Sequence, residues 1–133
     1  MNRICVDTSC YSMFLRGDPR AVEIVTGARD VCVPVVALGE LRAGFRMGRD
    51  QEANERRLRA FLANPAVRVL DIDDEATVHY ADIVAALRRA GTPVPTNDVW
   101  MAAVAAREGA VVVTFDDHFS LIDRVGSIVL TAT

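Results

Sequence analysis

Short runs of β-branched and aliphatic residues recur along the chain, separated by longer stretches whose apolar residues return every three or four positions. The runs Arg3 to Val6, Val31 to Val33, Val67 to Leu70, Val111 to Thr114 and Ser127 to Leu130 have the composition of strands. After the first run, Asp7 or Thr8 is placed to cap a helix through Tyr11 to Leu15 that Gly17 closes. Asp18-Pro19, a cap followed by proline at the first helical position, opens a second helix carrying Val22, Ile24 and Val25 toward Ala28. Val35, Leu38, Leu41 and Phe45 form one buried helical face that lasts until Gly48, with Glu40 and Ala43 opposite. Gln51 to Leu62 repeats the pattern, with Leu58, Phe61 and Leu62 inward and Arg56, Arg57 and Arg59 outward. A longer helix runs from a cap at Asp73 or Asp74 through Val78, Ile83, Val84 and Leu87 to Gly91. Beyond Pro93 and Pro95, Thr96 is expected to cap an alanine-rich helix from Asp98 to Glu108 that Gly109 stops, and a short helix near Phe119 precedes the last strand.

Strands alternating with helices predict an α/β fold, a parallel sheet with helices on both faces. A chain of 133 residues suits one domain spanning 1–133. The apolar share of 51% and charged share of 25% belong to a packed fold and exclude a disordered chain. The apolar run Val31 to Leu38 contains Pro34, and no run comes near the about 20 residues a membrane helix needs. Asp7 also interrupts any signal-like N-terminal stretch, so no membrane association is expected. Cys5, Cys10 and Cys32 are odd in number and lack metal-ligand spacing, which points to buried thiols in a reducing cytoplasm. All 15 basic residues are arginine, so a P-loop lysine, a Schiff base and a lysine nucleophile are excluded.

In parallel α/β folds ligands bind beyond the carboxyl ends of the strands. Asp7 directly follows the first strand, and Asp116 lies two residues past Thr114. Glu40 sits early in the helix after the second strand and Asp98 in the first turn of the helix before the fourth, so all four can lean over one sheet edge. Singly, each has an ordinary reading: a cap at Asp7, a solvated face at Glu40, a helix-dipole acid at Asp98 and a turn residue at Asp116. Jointly they repel, and a divalent cation resolves that conflict. Oxygen-only donors favour Mg²⁺ or Mn²⁺, and zinc would call for His or Cys. The matching chemistry is metal-dependent phosphodiester hydrolysis.

The contexts add specificity: Val6-Asp7-Thr8-Ser9, Gly39-Glu40-Leu41 with Gly44, Asn97-Asp98 leading into Ala102-Ala103, and Thr114-Phe115-Asp116 with Phe119. In this order, with the acids 33, 58 and 18 residues apart, the chain resembles the PIN-domain nucleases, and in particular the VapC toxins of bacterial toxin–antitoxin pairs. The resemblance covers essentially the whole chain. It implies a five-stranded parallel sheet, catalytic and metal-holding roles for Asp7, Glu40, Asp98 and Asp116, a supporting hydroxyl from Thr114, and RNA as substrate. It also implies a homodimer neutralised by a VapB-like antitoxin, through which the complex would contact operator DNA.

Other polar residues carry weaker expectations. Asp117 is an alternative to Asp116 as the fourth carboxylate; Thr8 and Ser9 are expected to serve as caps before second hydroxyls near Asp7; His118 is expected to be a turn residue before a proton relay. His79 has no local support for function, and Trp100 is expected in the core or a dimer contact before base stacking. Net charge is −3, but without the four acids 15 arginines face 14 carboxylates, so the scaffold itself is not acidic. Arg42, Arg46 and Arg49 follow Glu40 and are candidates for RNA phosphates or an antitoxin's acidic tail, against the plainer reading of a solvated face. The main competing function is a catalytically inactive PIN-like module that uses the acidic pocket to hold a protein partner. A phosphoacceptor receiver would need a lysine, and a haloacid-dehalogenase-type phosphatase a second aspartate where Ser9 stands.

Overall fold

The computed structural model describes residues 3–131. Its elements run β1 (Arg3–Val6), α1 (Thr8–Leu15), α2 (Pro19–Gly27), β2 (Asp30–Pro34), α3 (Val35–Met47), α4 (Gln51–Leu62), β3 (Val67–Leu70), α5 (Asp74–Ala90), α6 (Thr96–Glu108), β4 (Val111–Thr114), a 3₁₀ helix (Asp117–Leu121) and β5 (Ser127–Val129). The strands form one parallel sheet in the order β3-β2-β1-β4-β5. Successive strand residues face opposite sides of a sheet, and Ile4, Cys5 and Val6 are all buried, as are Val31, Cys32 and Val33, so helices cover both faces. Cys5 and Cys32 sit side by side in register and are free buried thiols, as is Cys10. No helix among the described residues is long and apolar enough to cross a membrane.

Most boundaries follow local chemistry. Asp18 Oδ1 accepts the Arg20 and Ala21 amides while Pro19 supplies the first helical φ, and Asp73 Oδ1 accepts the Ala76 amide at the start of α5. Gly91 and Gly109 end α5 and α6 at φ +68° and +64°, a left-handed conformation that costs a side chain free energy. One expected cap fails. Thr96 is the first residue of α6, the cap position belongs to Pro95, and no side chain caps this end. Proline holds the entering backbone extended at ψ 141°, so the chain turns into the helix without a hydroxyl acceptor. Along α6, Met101 to Ala105 are all buried, which makes this alanine-rich helix the central one, packed on α5, α3 and the sheet. Trp100 stacks on Tyr80 of α5, ring centroids 3.9 Å apart, and belongs to that packing.

At the amino ends of the strands, charge replaces apolar contact. Asp30 of β2 accepts from Arg3 of β1 at 2.7 Å and Arg68 of β3 at 3.0 Å; Arg68 reaches Glu108 at 2.8 Å, and Arg107 joins Glu108 to Asp73. This network ties three strands, α6 and the start of α5 together. At the opposite end, β1 connects outward to β2 and β3 on one side while β4 and β5 lie on the other, so the chain reverses direction between β1 and β4. That is where a parallel α/β fold opens a binding crevice.

Candidate active site

The crevice is built first around Asp7, which is 4% exposed. It is the cap of α1: Oδ1 accepts the Cys10 amide at 2.8 Å and the Ser9 hydroxyl at 2.8 Å. Across the β1/β4 gap, the fully buried Thr114 hydroxyl donates to Asp7 Oδ2 at 2.6 Å and accepts the Asp116 amide at 2.8 Å. Ser9 Oγ accepts the Phe115 amide at 2.9 Å, so two hydroxyls stitch the end of β4 to the end of β1. Burial pushes the Asp7 carboxyl above its ordinary range, against the pull of the Thr114, Cys10 and Ser9 donors, and the Asp98 charge adds to the rise.

Glu40 enters from α3. Thr8 donates to its Oε1 at 2.5 Å, and Asn97, beside Asp98 on α6, donates to its Oε2 at 3.1 Å. Asp98 lies in the first turn of α6, and its carboxyl is raised by desolvation and by the charges of Asp116 and Glu40, with the His118 bond opposing. Asp116 caps the 3₁₀ helix by accepting the His118 amide at 2.9 Å. The His118 ring folds over the same carboxylates, its Nδ1 lying 3.1 Å from Asp98 Oδ2 and 2.9 Å from Asp116 Oδ1. The bond to Asp98 raises the imidazole's pKa above its ordinary value, helped by the Asp116 charge.

Of the four acids, Asp98 and Asp116 thus come together with His118, one ligating atom from each lying within 4.8 Å of the others. Asp7 and Glu40 stand outside that group, yet the Asp98 charge acts on Asp7 and the Glu40 charge on Asp98. With the Asp7 and Asp98 carboxyls lifted by burial and neighbouring charge, and one imidazole facing the acids, this is a donor set that a divalent cation satisfies.

The geometry bears on three further expectations. Asp117 is exposed and begins the 3₁₀ helix outside the cluster, so Asp116 is the carboxylate that joins Asp98. Thr8 and Ser9 are not caps: Asp7 takes that role, and the two hydroxyls point to Glu40 and Asp7. Arg42 is held by Glu55 of α4 at 2.9 Å, which leaves Arg46 and Arg49 as the exposed arginines of that stretch. Spacing alone does not bring His118 to Asp98 or Asn97 to Glu40. The signal for His118 was Asp116 itself, since an aspartate capping a tight turn returns the residue two places on toward its own carboxylate. His79 accepts from Arg124 Nε at 2.9 Å, far from the acids in sequence and bonded to none of them.

The profile of the PIN domain family matches residues 4–125. The chain belongs to the PIN domain family. Among its relatives in that family, Ribonuclease VapC4 of Mycobacterium tuberculosis is 37% identical over 93 residues, covering 70% of this chain and 72% of the relative. The tRNA(fMet)-specific endonuclease VapC of Salmonella typhimurium is 36% identical over 116 residues, 86% of each chain. The fold of this PIN domain also matches that of DNA-bound VapBC from Salmonella typhimurium, with a TM-score of 0.81, 28% identity and coverage of 96% and 98%. VapBC-5 from Mycobacterium tuberculosis superposes with a TM-score of 0.73 at 30% identity, again covering 96% and 98%. The chain is therefore a PIN domain of the VapC ribonuclease type.

Proposed function

We propose that the protein is a VapC-type endoribonuclease toxin that hydrolyses RNA phosphodiester bonds with Mg²⁺ or Mn²⁺ and is neutralised by a VapB-like antitoxin. The observation that carries the reading is the meeting of Asp98, Asp116 and His118 at the β1/β4 crevice of a VapC-type PIN domain, with Asp7 and Glu40 beside them. Asp7, Glu40, Asp98 and Asp116 would hold the cation. When bound, it supplies an activated water and neutralises charge on the phosphate and leaving oxygen.

The chain's own residues prepare the crevice. Thr114 and Ser9 hold the Asp7 carboxylate in a single orientation, and Cys10 fixes it from the backbone. Thr8 and Asn97 take one oxygen each of Glu40, which restrains that longer side chain. Arg46 and Arg49, exposed beyond Glu40 on and after α3, are placed to take RNA phosphates. The DNA-bound VapBC neighbour supports an antitoxin that carries operator-DNA binding for the pair. An antitoxin segment entering this crevice would block cation and RNA together, and a homodimer in the cytoplasm is the setting we infer.

The test is incubation of antitoxin-free protein with total cellular RNA in Mg²⁺, Mn²⁺ or chelator, with Asp98→Asn alongside. Discrete fragments that require both metal and Asp98 are expected. Intact RNA in every lane would refute the nuclease and favour a PIN-like module that only holds a partner.

A further inference from the structure

We infer that His118 is itself a ligand of the divalent cation, giving Nδ1 to the donor set beside the Asp98 and Asp116 carboxylates that it faces. The inference rests on the metal-dependent reading above and adds a nitrogen to a site expected to be all oxygen. Three features carry it. The Nδ1 atom approaches one oxygen of each carboxylate, 3.1 Å from Asp98 and 2.9 Å from Asp116, and the three atoms fit within 4.8 Å. The ring is 40% exposed, so water is available to it, and yet it faces the acids. Its position is fixed from below: the His118 amide donates to Asp116 Oδ1, and the next residue, Phe119, is fully buried and anchors the 3₁₀ helix in the core.

Nδ1 hydrogen-bonds with Asp98 Oδ2 and lies 2.9 Å from Asp116 Oδ1. Serving as a ligand, the neutral imidazole would face the cation with the Nδ1 lone pair and carry its proton on Nε2. Imidazole nitrogen suits Mn²⁺ better than Mg²⁺, which demands oxygen, so His118 biases the site toward manganese.

The experiment uses the full chain loaded with Mn²⁺ and reads nitrogen coupling by pulsed electron paramagnetic resonance, with Mn²⁺ and Mg²⁺ affinities measured by calorimetry. The chain has two histidines, so His79→Gln serves as the control. A directly bonded ¹⁴N signal is expected in the wild type and His79→Gln, changed by ¹⁵N-histidine labelling and lost in His118→Gln. The Mn²⁺ Kd of His118→Gln should rise about tenfold or more, and the Mg²⁺ Kd much less. The labelling result needs no substitution and so does not depend on that variant folding. Bound Mn²⁺ with no nitrogen coupling would overturn the inference and leave the metal reading standing. Tighter binding by His118→Gln would overturn it too, since the ring would then be a cation that metal displaces. If the wild type binds no Mn²⁺, or Asp98→Asn binds it equally well, the metal reading falls and this inference with it.

Discussion

Replacing Thr114 by valine keeps the volume of a fully buried side chain and removes only its hydroxyl, so no cavity complicates the result. Two short bonds disappear, the donation to the Asp7 carboxylate at 2.6 Å and the acceptance from the Asp116 amide at 2.8 Å, with longer contacts to Ser9 Oγ and the Asp116 carbonyl. A hydrogen bond to an ionised group is worth about 1.5–3 kcal/mol, and stranding a half-buried amide adds about 1 kcal/mol. The expected loss is therefore about 2.5–4 kcal/mol, or roughly 3–5 °C of Tm per kcal/mol for a domain of this size. Thr114→Ser retains the hydroxyl and gives up one buried methyl, a loss of about 1 kcal/mol. Urea unfolding in chelator, followed by far-ultraviolet circular dichroism, compares the three proteins at pH 7. The order wild type, Ser, Val is expected. If valine falls within about 0.5 kcal/mol of wild type, or serine is the less stable variant, the Asp7–Thr114 bond does not hold the two strand ends as argued.

In metal-free protein, Asp7→Asn should be at least as stable as wild type at neutral pH, because asparagine caps a helix about as well and carries no buried charge. With its folded carboxyl raised by burial, Asp7 costs stability above the raised value, and the cost fades as pH falls to its unfolded range; the variant's advantage should shrink in parallel. The same variant should lose cleavage and most of the Mn²⁺-induced rise in Tm, and an equal rise in both proteins would place the ion elsewhere. Arginine partners hold the Asp30 and Glu108 carboxyls below their ordinary ranges, Arg68 contributing most to each. Their stabilisation is present above the ordinary carboxylate range and is lost as pH falls through the lowered values, so Arg68→Gln should lose stability at pH 7 and converge on wild type in acid; a constant gap across pH would refute the ion-pair account. Gly91→Ala, forced to keep φ +68°, should cost about 1 kcal/mol by thermal denaturation, and a neutral result would mean α5 ends differently in solution.

Periodicity read the fold closely where the signal is local. The bounds of α4, β3 and β4 match their apolar patterns, and Asp18-Pro19 and Gly91 mark their helix ends by their own backbone chemistry. Thr96 misled because its hydroxyl suits a cap, while the fixed geometry of Pro95 had already turned the chain. The four acids were visible as residues that end strands or open helices at one edge. What spacing did not carry was the reach between elements. Ser9 bonds the chain 106 residues on, at Phe115, and Asn97 meets Glu40 57 residues back, and neither pairing leaves a period in the sequence. Arg42 erred in the opposite direction, since nothing local shows that Glu55 on the next helix will claim it.

The stacking of Trp100 on Tyr80 has a spectroscopic consequence. It is the chain's single tryptophan, two residues along α6 from Asp98, with its indole plane 18° from the tyrosine ring. Intrinsic emission excited at the indole band therefore comes from one place in the molecule, the α5/α6 seam that carries the start of α6. Any event that shifts that helix start, whether cation, RNA or a blocking protein segment, is reported by an unlabelled chromophore already built into the chain.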